Sequence, residues 1–465
     1  MRPAPVLVLL ALLAATAAVH TQGARVVSLV VTGGTVVTVD AGRRVIADGA
    51  VAIDGARIVE VGPAADVRRR FSGRTTLDAA GRIVMPGLVN THTHAPMVLY
   101  RGLADDLALM DWLQQYIFPA EAKTVSPAFV RAGTRLAALE MIRSGTTTYA
   151  DMYYFEEEIA AVTKAAGLRG VLGQTIIQFP VADARTPTEG LARAAAFIRQ
   201  YKGDELIVPA VAPHALYTND QATLLQCRDL AIREGVPLLI HLAETQDEVK
   251  TARDRGAASP TAYLESFGFW TGAHALAAHG VWVSPDDIAT LVRRGVGISH
   301  NPESNMKLAS GTAPVAGYLA AGAALGLGTD GAASNNDLDM FEAMRQASFL
   351  AKHATGDPRA VPAATAVEMA TLGGARALGM EAVIGSLEAG KKADLIVVRM
   401  DHARQTPMYD PISHLVYTTR GDDVEATIVN GKILMRRGVV QTLDEAAVLA
   451  EARKAAAEVR AAVRR

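Results

Sequence analysis

The feature that most constrains the fold is a regular alternation of short apolar strand patterns with helical patterns through the middle of the chain. The strand-like runs are rich in apolar and β-branched residues, and helical segments separate most of them. The eight runs cover residues 83–89, 146–150, 171–177, 206–212, 236–242, 275–279, 296–299 and 324–328. Eight such units in about 300 residues predict an α/β fold, a (β/α)8 TIM-like barrel.

Both ends of the chain carry shorter strand patterns punctuated by turn dipeptides such as Asp54-Gly55 and Asn430-Gly431. These runs cover residues 26–31, 35–39, 51–53, 58–61, 394–398, 426–429 and 433–435. They predict one small composite β-sandwich domain formed from both chain ends. The predicted units are residues 25–85 with 382–440 for the β domain, 86–381 for the barrel and 441–465 for a C-terminal helix. Thr442 and Glu445 predict a capping box at the start of that helix.

Composition narrows the class of protein. Half of the 465 residues are hydrophobic, and the formal net charge is −2 with no basic stripe, so a nucleic-acid partner is not expected. Cys227 is the single cysteine, which excludes an internal disulfide and is compatible with either redox compartment. Its apolar neighbours predict that Cys227 lies in a helix and that its side chain is in the protein core.

The first 24 residues have the pattern of a removable signal peptide. Arg2 supplies a positive start, residues 6–15 are apolar, and residues 15–17 read Ala-Thr-Ala, a cleavage-site pattern. This pattern predicts an exported, periplasmic protein. The apolar run is too short for a stable membrane span. If the start codon is wrongly set or the segment is only a disordered leader, the expected location is cytoplasmic.

Two histidines follow the first barrel strand at alternate positions. His92 and His94 are two residues apart, and positions i and i+2 of an extended chain point to the same face. Neutral imidazole is the commonest metal ligand, so the pair could chelate a divalent ion. A polar turn explains the pair equally well when it is considered alone.

Further polar residues stand at the ends of later strands. His214, His241, His279 and Asp330 do so, and Glu244 lies three residues beyond His241. In a (β/α)8 barrel the chemistry is found at the C-terminal ends of the strands. Each residue alone has a structural explanation, a hydrogen-bonded histidine or a turn aspartate. Their coincidence on successive strand ends predicts a metal-dependent site.

His92-x-His94, His241-x-x-Glu244, His279 and Asp330 resemble the ligand and catalytic pattern of the amidohydrolase superfamily. Longer phrases resemble its 5′-methylthioadenosine/S-adenosylhomocysteine deaminase branch, which borders the triazine chlorohydrolases. They are Arg101-Gly-Leu-Ala-Asp-Asp, Asp111-Trp-Leu, Phe118-Pro-Ala-Glu, His300-Asn-Pro-Glu-Ser-Asn-Met-Lys-Leu-Ala-Ser-Gly and Gly328-Thr-Asp-Gly-Ala-Ala-Ser-Asn-Asn. The resemblance covers nearly the whole chain after the leader.

The resemblance implies one divalent metal ion, because the fourth strand lacks the lysine that binuclear relatives use. The implied ligands are His92, His94, His241 and Asp330. Zinc is expected, although nitrogen and oxygen ligands also suit iron or manganese. Glu244 is implied to protonate a ring nitrogen, Asp330 to accept the proton of the attacking water, and His279 to orient that water or stabilise the tetrahedral species.

The same resemblance implies a set of substrate-binding residues. Glu121 would bind the ribose hydroxyls, His214 would contact the sugar, Glu244 the base, and Trp112 would line the pocket. Glu121 could instead be an exposed helical acid, and Trp112 a core residue. Members that act on S-adenosylhomocysteine have arginines after the third strand to bind its carboxylate, and here only Arg185 is available.

The predicted function is therefore hydrolytic deamination of an adenine nucleoside to the inosine-type product and ammonia. 5′-Methylthioadenosine, 5′-deoxyadenosine and adenosine fit better than S-adenosylhomocysteine. One alternative is a hydrolase of another aromatic amine or halide, such as a pterin, a guanine derivative or an s-triazine. Another is a non-catalytic barrel that binds a metal or ligand. The expected partner is a small-molecule substrate, and relatives with paired barrels make a homo-oligomer a further expectation.

Overall fold

The computed structural model describes residues 23–463, and a closed barrel of eight parallel strands occupies its centre. In chain order these strands are Leu88–Thr93, Thr146–Tyr153, Arg169–Ile176, Ile207–Pro213, Leu238–Leu242, Ala275–His279, Gly297–His300 and Leu325–Leu327. Each strand pairs with the next along the chain, and the eighth pairs with the first, which closes the barrel. The predicted (β/α)8 architecture is confirmed.

One strand prediction is wrong in an informative way. The predicted run 83–89 is two strands that belong to two different sheets, Arg82–Pro86 in the second sheet and Leu88–Thr93 in the barrel. Pro86 lacks a backbone donor, and a side chain at Gly87 would collide with Thr147 of the next barrel strand. The Pro86-Gly87 pair is therefore the point at which the chain passes from one sheet to the other.

Helices connect the barrel strands on the outside. After the first strand come Ala95–Tyr100, a continuous helical run made of Leu109–Asp111, Trp112–Ile117 and Phe118–Thr124, and then Pro127–Arg143. After the second to fourth strands come Glu156–Ala166, Pro187–Tyr201, Leu216–Thr218 and Gln221–Glu234. After the fifth to eighth come Gln246–Asp254, Pro260–Ser266, Pro285–Arg293, Pro302–Lys307, Val315–Ala320, Met340–Thr355, Ala363–Glu368, Met369–Gly373 and Gly374–Ala377. Cys227 is buried in its predicted helix.

The second sheet has nine strands drawn from both chain ends. They are Arg25–Val37, Val45–Asp54, Arg57–Pro63, Phe71–Asp78, Arg82–Pro86, Leu395–Arg399, Val424–Val429, Lys432–Arg436 and Val439–Val440. The runs predicted at 26–31 and 35–39 form one long strand. That strand pairs with the second and, in parallel, with both the fourth and the fifth. We propose that residues 25–85 and 382–440 form the β domain and that residues 86–381 form the barrel domain.

Short helices and one long helix complete this part of the chain. They are Ala64–Arg70, Ala403–Gln405, Pro411–Tyr417, Gly421–Asp423 and Glu445–Val463. The last helix is capped differently from the prediction. Asp444 accepts the backbone N–H of Ala447, while the Thr442 hydroxyl donates to the carbonyl of Ala166.

The barrel and the second sheet are joined by a buried ion pair. Arg169, at the start of the third barrel strand, lies 2.9 Å from Asp394, which precedes a strand of the second sheet, and both side chains are buried. Buried charges of this kind require a partner. Within residues 23–463, no helix has the length and apolar character needed to cross a membrane. Most of the predicted leader, residues 1–22, lies outside the described residues.

Candidate active site

Four predicted ligands meet at the C-terminal end of the barrel. His92 and His94 lie at the end of the first strand, His241 lies in the fifth, and Asp330 follows the eighth. The Nε2 atoms of His94 and His241 are 3.3 Å apart. Asp330 Oδ1 lies 3.4 Å from Nε2 of His92 and 3.4 Å from Nε2 of His94. The structure thus brings together residues separated by more than half of the chain.

These atoms fit a divalent metal ion. Two overlapping sets, His92 with His94 and Asp330, and His92 with His241 and His279, each offer ligand atoms within 4.8 Å of one another. Nε2 of His92 is buried and has no hydrogen-bond partner among the described residues. Imidazole nitrogens with a carboxylate oxygen are a normal zinc ligand set, and an unpartnered buried nitrogen aimed at the same point agrees with it.

His94 and His241, whose Nε2 atoms are 3.3 Å apart, are each oriented by the other ring nitrogen, Nδ1. Nδ1 of His94 is 2.7 Å from the carbonyl of Met152, and Nδ1 of His241 is 2.7 Å from the carbonyl of His214. A carbonyl accepts only from a protonated nitrogen, so each contact places the hydrogen on Nδ1. Nε2 is left with its lone pair directed at the metal position, as in other metal-binding histidines.

Asp330 is fixed by hydrogen bonds on several sides. Its Oδ2 accepts from the Ser304 and Ser334 hydroxyls at 2.7 and 3.2 Å, and its Oδ1 accepts from the backbone N–H of Gly331 at 2.7 Å. Asp330 and His279 both have positive φ angles, +63° and +72°. Non-glycine residues in this left-handed region are strained and concentrate at functional sites.

The charges of the ligands suit metal binding. Burial lowers the pKa of His92 to about 4, which outweighs the opposing charge of Asp330, and burial also lowers the pKa of His241. Burial raises the pKa of Asp330, but the contact with His92 and the charges of the nearby histidines outweigh it and hold this pKa well below its usual value. Neutral imidazoles beside an ionised carboxylate are the protonation states that a metal requires.

Glu244 and His279 form a pair next to these ligands. Glu244 is only 3% exposed, its Oε2 lies 3.7 Å from Nε2 of His279, and the Ser310 hydroxyl donates to its Oε1 at 3.4 Å. Burial raises the pKa of Glu244. Burial lowers the pKa of His279, but the charges of Glu244, Asp330 and Glu248 and the contact with Asn305 together outweigh it, and the net pKa is raised. Nδ1 of His279 is 2.8 Å from Asn305 Oδ1.

A cavity opens above the predicted ligands. Its lining residues are His94, Met97, Leu109, Trp112, Leu113, Ile117, Phe118, Glu121, Met152, Tyr153, Tyr154, Thr175, His214, Tyr217, His241, Glu244, His279, Leu308 and Asp330. Trp112, Glu121 and His214 are thus in the same cavity as the metal ligands. His92 does not line this cavity.

Glu121 lies in an aromatic part of this wall. The Tyr153 hydroxyl donates to its Oε1 at 2.7 Å. Burial raises the pKa of Glu121 to about 7, so the alternative of an exposed helical acid is wrong. Burial also lowers the pKa of His214 to about 3, and its Nδ1 is 3.0 Å from the Thr218 hydroxyl.

Arg185 does not reach the cavity, which corrects its prediction as a substrate-binding residue. It is exposed and is absent from the cavity lining. A tight turn precedes it, in which the N–H of Val181 donates to the carbonyl of Ala184, and Ala184 takes the buried position. The next residue, Arg185, is consequently directed to the surface.

Two tyrosines in the wall were missed by sequence reasoning. Tyr153 is the last residue of the second barrel strand and Tyr154 follows it, at the end where functional residues are expected. The predicted strand stops at residue 150, three residues before the strand ends at Tyr153. A longer strand prediction would have found them by the same rule that found the histidines.

Several known proteins are similar to this chain. The 5-methylthioadenosine/S-adenosylhomocysteine deaminase of Syntrophobacter fumaroxidans is 48% identical over 426 residues, which cover 91% of this chain and 97% of that protein. The 5′-deoxyadenosine deaminase of Methanosarcina mazei is 45% identical over 430 residues, covering 92% and 97%. The crystal structure of an adenosine deaminase from Xanthomonas campestris, with bound zinc, has 41% identity and a TM-score of 0.92, covering 94% and 100%.

A more distant solved structure shares the fold. Atrazine chlorohydrolase from Arthrobacter aurescens, complexed with zinc, has 25% identity and a TM-score of 0.85, and the match covers 92% of this chain and 100% of that one. Residues 49–71 match an imidazolonepropionase-like composite domain of bacteria. Residues 83–434 match the amidohydrolase family, and this chain belongs to that family.

Proposed function

We propose that the protein is a metal-dependent hydrolytic deaminase that replaces the 6-amino group of an adenine nucleoside with oxygen and releases ammonia. The observation that supports this most directly is the content of one cavity. Three of the four proposed ligands, His94, His241 and Asp330, line it with Glu244, and the buried carboxylate of Glu121 lies in its aromatic wall. A reactive centre and a group suited to a sugar therefore share one small-molecule site.

His92, His94, His241 and Asp330 would hold the ion, and zinc is favoured because the similar Xanthomonas campestris structure contains it. When bound, a divalent ion lowers the pKa of a coordinated water to about 7 and thereby supplies a nucleophile at neutral pH. Asp330 is ionised and can accept a proton from that water. It can return the proton to the departing amine, and Glu244 can recover a proton from the hydroxyl that the attack leaves on the ring carbon, so that no net proton is lost.

Glu244 is the proposed proton donor to the ring. Burial raises its pKa and so favours the protonated form, and protonation of a ring nitrogen makes the adjacent carbon more electrophilic. His279, 3.7 Å away, can donate from Nε2 to the oxygen that becomes negatively charged at that carbon. These roles use groups already turned towards the same cavity.

Glu121 is the proposed ribose-binding residue. A carboxylate can accept hydrogen bonds from two neighbouring hydroxyls, and Tyr153 fixes its orientation from one side. His214 lines the same cavity and is proposed to contact the sugar. A free base would not use this carboxylate, so Glu121 should distinguish nucleosides from free bases.

An adjoining cavity is relevant to the 5′ substituent of the nucleoside substrate. It shares Phe118, Glu121 and Tyr154 with the central cavity, and its other lining residues are Ala122, Phe179, Pro180, Val181 and Ala182. None of these residues is positively charged. We therefore propose an uncharged 5′ group, as in 5′-methylthioadenosine or 5′-deoxyadenosine, over the charged amino-acid tail of S-adenosylhomocysteine.

Ammonia release from the zinc-loaded protein tests the proposal. The panel is 5′-methylthioadenosine, 5′-deoxyadenosine, adenosine, S-adenosylhomocysteine, guanine and a chlorotriazine, with chloride release followed for the last. We expect the first three to react, S-adenosylhomocysteine to react more slowly, and the last two to be inert. Reaction of only guanine or the triazine would support the second class of hydrolase instead. No reaction with any compound would support a binding protein.

We further propose that residues 1–24 direct export and are removed, and that the barrel self-associates. The proposal of export rests on Arg2, the apolar run 6–15 and the residues 15–17. Mass measurement of protein from separated periplasmic and cytoplasmic fractions tests it, and an intact cytoplasmic chain would contradict it. Light scattering of the purified protein tests the oligomer, which a monomeric mass would exclude.

A further inference from the structure

Glu248 is a buried carboxylate that the proposed mechanism does not use. It lies in the first turn of the surface helix Gln246–Asp254, yet it is only 2% exposed. Its neighbour Asp247, in the same turn, is exposed. Buried carboxylates are rare and are normally held by specific hydrogen bonds. The burial of Glu248 therefore calls for a partner, and the structure provides one in the backbone.

The partner is the backbone of the residue proposed as the proton donor. Oε2 of Glu248 accepts the N–H of Glu244 at 3.1 Å, and a second backbone contact comes from Ala243. Glu248 is absent from the lining of the central cavity. It therefore does not contact a substrate there, and among the described residues its only hydrogen bonds are to the backbone segment that leads to Glu244, although its charge also acts on His279 through space.

That segment has a strained conformation. Ala243 has a φ of +50°, in the left-handed region that alanine disfavours. Its carbonyl accepts from the backbone N–H groups of Val281 and Trp282 at 3.1 and 2.8 Å. The segment is thus held by the neighbouring loop through its carbonyl and by Glu248 through an amide. The turn at Ala243 carries the chain from the ligand His241 to Glu244.

We propose that Glu248 is a positioning residue that holds the Ala243–Glu244 backbone so that the Glu244 carboxylate faces the ring and His279. The inference rests on the proposed function for the role of Glu244 itself. Without the acceptor, the strained turn at Ala243 can relax and the Glu244 side chain loses its fixed direction. Displacement of a proton donor by about 1 Å can reduce turnover by about 100-fold.

The test compares Glu248→Ala and Glu248→Gln with Asp247→Ala, an exposed acid on the same turn, as the matched control. Glu248→Ala should lower kcat by about 10- to 100-fold with little change in KM or zinc content, because the ligands and the ribose wall are intact. Glutamine keeps one acceptor oxygen, so Glu248→Gln should lose less. Adding Ala243→Gly to Glu248→Ala should restore part of kcat, because glycine adopts the left-handed conformation without strain.

Hydrogen exchange gives a readout that does not depend on the substrate. In Glu248→Ala the amides of residues 243 and 244 should exchange faster than in the wild-type protein, while Asp247→Ala should match it. If Glu248→Ala does not fold, Glu248→Gln carries the same comparison with smaller expected effects. Wild-type kcat together with unchanged exchange in the folded variant would overturn the proposal. A wild-type protein that deaminates no nucleoside would overturn the proposed function, while the exchange comparison still decides whether Glu248 holds this backbone.

Discussion

The two ends of the central cavity are built from different chemistry. At the metal end, His94 and His241 are each directed by a backbone carbonyl, and Asp330 is held by hydroxyl and amide donors. At the other end, the Glu121 carboxylate lies in an aromatic wall, where Tyr153 donates to it. The metal end has several polar and ionisable groups fixed by a network, whereas the other end has one carboxylate in apolar surroundings.

This difference separates reaction from recognition. Groups in a fixed polar network are ready to stabilise charge that develops during a reaction. A single carboxylate in an apolar wall suits discrimination, because it leaves a polar group unpaired when the matching hydroxyls are missing. Changes at the metal end should therefore affect all substrates alike, while changes at the Glu121 end should affect some substrates more than others.

The largest expected effect is that of losing the metal. Dialysis against a chelator, or the substitution His241→Ala, should abolish turnover of every substrate, and zinc should restore the dialysed wild-type protein only. Metal content measured beside activity checks this, with His353→Ala, an exposed histidine, as the control. Full activity in a protein shown to be free of metal would remove the distinction between the two ends.

The next effect concerns the proposed proton donor. Glu244→Gln should lower kcat by about 100-fold or more for nucleosides of every 5′ substituent, because a glutamine cannot donate a carboxyl proton. The zinc content should stay at the wild-type level, since Glu244 is outside the proposed ligand set. Steady-state kinetics with two substrates checks the first point, and metal analysis of the purified variant checks the second. An unchanged kcat would exclude the role in proton transfer.

A smaller and more selective effect is expected at the other end. Glu121→Gln should raise KM for adenosine and 5′-methylthioadenosine by about tenfold, because the amide accepts fewer hydroxyl hydrogen bonds than a carboxylate. It should leave any residual reaction with free adenine unaffected. Tyr153→Phe is the matched variant, and it should raise KM less. An equal change for nucleosides and free base would remove the assignment to ribose.

The smallest effect is on stability, and its sign follows from the pKa. Burial raises the pKa of Glu121 from 4.5 to about 7, so the folded state binds this proton more tightly than the unfolded chain. The stability that the folded protein gains from binding this proton is fully present below about pH 4.5 and is lost as the pH rises through about 7. Glu121→Gln should therefore raise the Tm relative to wild type more at pH 8 than at pH 5.

Thermal unfolding at the two pH values measures this. Glu458→Gln, an exposed acid on the last helix, is the control and should shift neither Tm. A gain in Tm for Glu121→Gln that is larger at pH 5 than at pH 8 would contradict the raised pKa. It would also mean that the surroundings of Glu121 favour its charged form, as the polar network at the metal end does for its carboxylate.

The barrel and the metal end could be predicted because local pattern and topology agree there. A histidine pair with a period of two, followed by histidines and an aspartate at later strand ends, needs only the rule that parallel strands of a barrel end at one rim. The predicted run 275–279 coincides with the observed strand Ala275–His279. Apart from the run 83–89, the other predicted runs differ from the observed strands by a few residues at either end. The cluster of polar residues therefore follows from the fold class, whereas the choice of ligands among them rests on the resemblance to the amidohydrolase superfamily.

The features that sequence missed depend on contacts between distant residues. The Pro86-Gly87 dipeptide is a local turn signal inside the apolar run 83–89, but the change of sheet there depends on the approach of the distant Thr147. Arg185 was placed by its position after the third strand, but the turn at Val181–Ala184 directs it outward. Glu248 looks like any acid in a first helical turn until the backbone of Glu244 is seen beside it.

The same break has a consequence for how the protein is made. Strand Arg82–Pro86 is paired on one side with Arg25–Val37 and on the other with Leu395–Arg399, and the next strand carries His92 and His94. During synthesis, one edge of that strand therefore stays open until residues 395–399 have left the ribosome. The first two proposed metal ligands to be synthesised thus directly follow a strand whose pairing is completed only by residues near the end of the chain.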